Sequence, residues 1–204
     1  MDFTVANTYG AVVDLMRYET DVVSGVRRLL EHCNGLCPHS VWSEIGQLDF
    51  AGDSAYLKRW LNDLLETERP QDEIVAFWFG LFDESDPDGG ASARLYLAGA
   101  ESYDPDDTNS EWACSPTYLP KGRYANSGVL KSISRTLSTN GEDVSWLGSY
   151  VLPLGYTSLA IADACRHLPS DILCGPKTSR AIAVGFDSGD FIILPAIARE
   201  GPSV

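Results

Sequence analysis

Residues 73–82 read EIVAFWFGLF, a run dense in β-branched and aromatic side chains and bounded by turn formers. That composition marks a buried strand. The next stretch, 83–91 (DESDPDGGA), is a polar turn, and 94–103 (RLYLAGAESY) supplies a return strand. The pair predicts a hairpin with a long acidic loop, followed by a second acidic loop at 104–111 (DPDDTNSE).

Upstream of this hairpin the period of the sequence is helical. Val12, Leu15, Met16, Val22, Val23, Val26, Leu29 and Leu30 recur near helical spacing, with a break at 18–20. Asn34-Gly35 and Cys37-Pro38 are stop signals. A further helix follows, with Asp53 or Ser54 as N-cap and a stripe of Tyr56, Leu57, Trp60, Leu61, Leu64 and Leu65; Arg69-Pro70 closes it. Downstream, 127–137 reads as a short helix capped by Asn126 or Ser127, and 155–168 as a buried helix ended before Pro169. Residues 181–186 and 191–197 flank Asp187-Ser188-Gly189-Asp190, a second hairpin signal. The expected architecture is α+β: a mainly antiparallel sheet built from two hairpins, with helices packed on one face. It forms a single domain, with a helical part at 1–70 and an α+β core at 71–204.

The charge narrows the partners. The chain of 204 residues has 15 Lys and Arg against 29 Asp and Glu, a formal net charge of −14. Such a field repels nucleic-acid phosphates and anionic membranes and attracts basic surfaces. No apolar window approaches the roughly 18 residues of a membrane span, and the first twenty residues contain Asp2, Asp14, Arg17 and Glu19, unlike a secretory leader. Five cysteines without framework spacing suit a reducing cytosol, which is the expected compartment.

The carboxylates are not evenly spread. Between Asp83 and Glu111 there are nine acids and one base, Arg94. Asp104, Asp106, Asp107 and Glu111 lie beside Tyr103 and Trp112; Asp83, Asp86 and Asp88 form the earlier cluster. Acidic rims around aromatic anchors suit a protein interface, where charges steer a basic partner and rings supply contact energy.

Metal and catalytic readings are weaker. Glu84-x-Asp86-x-Asp88-Gly89 mimics the opening of a calcium loop, but Leu95 stands where a bidentate carboxylate is required. His32, Cys33, Cys37 and His39 crowd four zinc-type ligands into eight residues, where a helix end explains the same letters. No Gly-x-Ser-x-Gly elbow is present, and Asp163 and His167 have the spacing of an ordinary helix pair. No catalytic residue, metal or cofactor is expected. One rival site remains: Lys121, Arg123, Lys131 and Arg135 surround a helix start at Ser127, where free N–H groups could hold a small phosphorylated ligand of an enzyme or regulator. A third possibility is an adaptor domain whose acidity serves solubility.

The segments EIVAFWFGLFD (73–83), YLPKGRYANS (118–127), LPLGYTSLAIADACRHL (152–168) and AVGFDSGDFIILPAI (183–197) together resemble the immunity proteins encoded beside bacterial polymorphic toxins. The resemblance lies in size, acidity and aromatic hairpins. It implies a cytosolic binding protein, not an enzyme, that occludes a cognate toxin. Asp104, Asp106, Asp107 and Glu111 would then steer and pair, Trp112 and Tyr103 would anchor, and Asp83, Asp86 and Asp88 would form a secondary rim.

Overall fold

The computed structural model describes residues 5–17, 21–85, 89–107, 110–174, 179–187 and 189–195. Among them are seven α-helices and five strands: α1 Val5–Arg17, α2 Val22–Leu36, α3 Val41–Ile45, α4 Phe50–Thr67, β1 Ala76–Ser85, β2 Ala91–Ala100, β3 Tyr124–Ala125, α5 Gly128–Ser138, α6 Glu142–Arg166, α7 Ser170–Leu173, β4 Ala181–Phe186 and β5 Phe191–Ile193. The strands form one sheet in the order β3-β2-β1-β4-β5. The α+β class and the helical beginning are as expected, and both hairpins form with shifted bounds. β2 covers Ala91–Ala100 where 94–103 is expected, and β5 covers Phe191–Ile193 where 191–197 is expected, residues 196 and 197 lying outside the described residues. The sheet is mixed, however, because β1 and β4 run parallel while the other pairings are antiparallel.

That parallel pair puts β1 at the centre, which explains its apolar run: a central strand is buried on both faces. Phe77, Phe79, Leu81, Leu95, Leu97, Ile182, Val184 and Ile192 join the main core with the helices. Trp78, Ala76, Ala100 and Ala183 form a smaller cluster with Trp112 on the opposite face. β1 extends further than its apolar letters suggest, carrying Asp83 and Glu84 into the ladder opposite Ala93 and Ser92.

The helical layer is organised by α6, which packs against α1, α2, α4 and α5. The sequence predicts only its second half, from 155. The helix instead begins at Glu142 and runs through Pro153. A proline there removes one i→i−4 bond, yet residues 151–162 are all buried, and tertiary packing holds the helix together. Contact with α2 is close because glycine interlocks with leucine in both directions. A Cβ at Gly155 would stand 2.3 Å from a Leu29 methyl, and one at Gly25 would stand 2.5 Å from a Leu159 methyl.

Two other boundaries are corrected. α2 continues through Asn34-Gly35 to Leu36, because its amide-to-carbonyl ladder holds until Cys37 N–H meets the Cys33 carbonyl at 2.8 Å. α4 starts at Phe50, capped by Asp49, which accepts from Gly52 N–H at 2.9 Å. Asp53 lies inside the helix and is free for another role. No helix is long and apolar enough to cross a membrane among the described residues.

Candidate functional site

The chain leaves β2 at Ala100 and folds back across the smaller, aromatic face of the sheet, reaching a single 3-10 turn at Glu111–Ala113. Trp112 pins this segment. Its ring meets Trp78 edge-on with centroids 5.9 Å apart, and Tyr103 edge-on at 5.3 Å. Trp78 in turn lies against Phe191 of β5 at 5.8 Å. Edge-to-face contacts at this range are favoured by the ring quadrupole. Trp112 is therefore 7% exposed and serves as the root of the loop; the expectation of an open anchor is corrected, because the ring is consumed by the sheet. Tyr103 is half-buried and remains reachable.

With that root in place, the loop orders its own carboxylates. Asp104 Oδ1 accepts from the Asp106 N–H at 2.9 Å, an Asx turn. Asp107 Oδ2 accepts from the Trp112 N–H at 3.4 Å. Asp104, Asp106 and Glu111 are exposed and Asp107 is half-buried. Tyr103, Asp104 and Asp107 form a wall between two hollows. One, of about 470 Å³, opens between α1, this wall and β5, with Val13, Met16, Ile193 and Pro195 as apolar lining and Asp190 adding a carboxylate. The other, of about 510 Å³, adds Glu111 and Trp112. The phenol of Tyr103 is raised above its ordinary pKa by burial and then by the Asp104 charge. Tyr9, whose hydroxyl donates to the Phe191 carbonyl at 2.8 Å, is raised by burial and by Asp190. Both phenols stay protonated, so the negative charge here belongs to the carboxylates.

The earlier acidic cluster is a separate place. Asp83 lines a different hollow from the two that Asp104 lines. Glu84 is paired with Arg94 at 2.9 Å. Asp86 and Asp88 lie outside the described residues, and with them the calcium reading. Asp83, Glu84 and Asp187 instead line a cleft of about 570 Å³ at the carboxyl ends of β1 and β4. Ser134 of α5 and Ser145 and Ser149 of α6 share that cleft. Sequence reasoning missed these serines; the i, i+4 spacing of Ser145, Ser149 and Pro153 was the available signal, hidden because that half of α6 was not read as helix.

At the rival anion site the N–H groups are already bonded. Asp53 reaches across from α4: its carboxylate accepts from Gly128 N–H at 2.8 Å, Val129 N–H at 3.4 Å, Ser127 Oγ at 2.6 Å and the Tyr156 hydroxyl at 2.6 Å. Burial, and next the Asp53 carboxylate, push the Tyr156 phenol far up. Nearby, Glu68 accepts from Lys121 N–H at 2.7 Å and Gly122 N–H at 3.0 Å. Arg123 lies over the Tyr124 ring at 4.8 Å. The start of α5 is thus capped by the protein's own carboxylate, and the basic stretch before it is latched to α4.

The histidine and cysteine constellations are structural in placement. Asp163 turns its carboxylate to Lys58 at 3.6 Å and Arg166 at 3.5 Å, and His167 Nδ1 meets the Asp163 carbonyl at 2.8 Å, not its carboxylate. Cys33 is buried, with its thiol pushed up to about 12 by burial, and His39 Nδ1 accepts from Val41 N–H at 3.2 Å. Among the described residues no cluster of three or more His, Cys, Asp or Glu has metal-site geometry. Compared with known protein families, curated proteins and solved structures, the chain matches none.

Proposed function

We propose that this chain is an immunity-type inhibitor of a bacterial toxin, acting inside the cell by stoichiometric occlusion. Its carboxylates pair with the basic rim of the toxin's active site. The observation that supports this reading is the wall of Tyr103, Asp104 and Asp107 between two hollows, with Asp106 and Glu111 exposed beside it. Carboxylates ordered by their own loop need little rearrangement to receive a cation, and preorganisation lowers the cost of association. Trp112 contributes by holding the loop, and Tyr103 is the ring a partner touches. Asp83 lines a separate cleft and is left out of that contact.

The test is binding to the purified product of the adjacent gene. Changing Asp104, Asp106 and Asp107 together to Asn keeps the acceptor oxygens that order the loop and removes three charges. The expected result is a loss of affinity of roughly tenfold or more, mostly in association rate, with a shallower salt dependence. Unchanged affinity and salt slope would remove the basis of the reading.

A further inference from the structure

We propose that the free edge of β5 accepts an extended segment of the partner protein as a sixth strand, one in which Lys or Arg alternates with apolar residues. The inference rests on the inhibitor reading above and names the contact element such a partner presents.

Among the described residues, the ladder fixes which backbone groups of β5 have no partner strand. Leu194 N–H reaches the Ile182 carbonyl at 2.8 Å and Phe186 N–H reaches the Asp190 carbonyl at 3.1 Å. Residues 190, 192 and 194 therefore turn their backbone groups to β4, and Phe191 and Ile193 turn theirs outward. The Phe191 carbonyl is taken by the Tyr9 hydroxyl. The Phe191 N–H and both backbone groups of Ile193 face the 470 Å³ groove that these residues line. Ile193 is 40% exposed, so the edge presents an apolar side chain beside its outward backbone groups. Pro195 brings no N–H and ends the pairing frame.

The walls of the groove specify the side chains. α1 lies on the helical side of the sheet and offers Val13 and Met16, with Arg17 beyond them ion-paired to Asp14 at 3.0 Å; the loop lies on the aromatic side and offers Asp104 and Asp107. An added strand between them turns alternate residues to opposite sides, about 7 Å apart on each. Apolar residues meet α1 and cationic residues meet the loop and Asp190. A second copy of this chain is a poor occupant, because it would bring the same carboxylates, on a chain of −14, against their own image.

The test uses the full chain and a synthetic nine-residue peptide of alternating Lys and Val, followed by fluorescence anisotropy. A matched peptide N-methylated on the Val residues keeps charge and composition but cannot pair along one edge; a second is methylated on the Lys residues. At least one of the two is expected to bind tenfold or more weakly than the parent. Ile193→Pro removes an outward N–H without touching the ladder to β4, and is expected to lose tenfold, whereas Ile193→Val retains binding. Thermal unfolding of each variant confirms that it is folded. Failure of the parent peptide to bind in the millimolar range, or equal binding by all three peptides, overturns the proposal. So does a chain ending at Pro195 that binds many-fold tighter, which assigns the edge to residues 196–204, or a dimer abolished by Ile193→Pro, which assigns it to a second copy. If Ile193→Pro is silent while the triple Asn variant still loses adjacent-gene product, the edge fails and the inhibitor reading stands.

Discussion

Two carboxylate sites stand in contrast: Asp53 between α4 and α5, and Asp104 and Asp107 of the wall beyond β2, with Asp106 beside them. Asp53 receives four hydrogen bonds from two other helical segments, the start of α5 and the middle of α6, including one from the hydroxyl of Tyr156, which is 1% exposed. Asp104 and Asp107 receive bonds from their own loop, and Asp104 and Asp106 are exposed. The same functional group is an internal fastener in one place and an outward-facing charge in the other. What brings Asp53 inside is not local acidity but the arrival of α5 and α6 at its oxygens.

The sharpest way to break that contrast is Asp53→Ala. It removes a helix cap, worth about 1 kcal/mol, and strands the buried Tyr156 hydroxyl, costing roughly 1–3 kcal/mol more. Urea denaturation should show a loss of about 3 kcal/mol; a loss within the range of an ordinary surface substitution would make Asp53 no fastener at all. Next in size is Trp112→Ala, expected to cost about 3 kcal/mol, the low end for a buried aromatic because the ring covers a thin cluster. It should also weaken partner binding by releasing the loop. If stability falls and binding does not, the wall is independent of its root.

Acid supplies the third test. Glu68 has its pKa lowered by the Lys121 N–H, then by the Gly122 N–H, both of which bond its charged form. A depressed native value means the unfolded chain binds more protons, so the contribution is complete above the ordinary Glu value, about 4.3. It is lost as pH falls through the lower folded value. Between about pH 5 and pH 3 the wild type should lose more stability than Glu68→Gln, measured by urea midpoints. The smallest effect on stability belongs to the triple Asn change in the wall, expected to stay within about 0.5 kcal/mol while binding falls. A large stability change there would erase the distinction from Asp53.

These sites also show what a sequence exposes and what it hides. β1, the hairpins, the helical beginning and the Ser127 cap were legible because each is written in consecutive letters: aromatic runs, turn dipeptides, a hydroxyl before a helix. Asp53 looked like the N-cap of its own helix, since Asp-Ser before an apolar stripe is a local capping signal, yet its partners lie 74 and 103 residues away. The first half of α6 was hidden because Pro153 and the glycines at 148 and 155 imitate a break, although Val144, Leu147 and Val151 form a buried stripe there. The acidic wall was visible as composition. The burial of Trp112 was not, because nothing near it in the chain announces Trp78.

The parallel pairing of β1 with β4 carries a consequence for biosynthesis. Ala76 waits for Ala181, which a ribosome adds roughly 5–20 s later at ordinary elongation rates. For that interval the hairpin of β1 and β2 has an aromatic strand with one flank open, a hazard for aggregation in the nascent chain. Closing such a distant contact is slow by topology. A chaperone that shelters nascent chains should therefore engage this protein between completion of the first hairpin and arrival of β4.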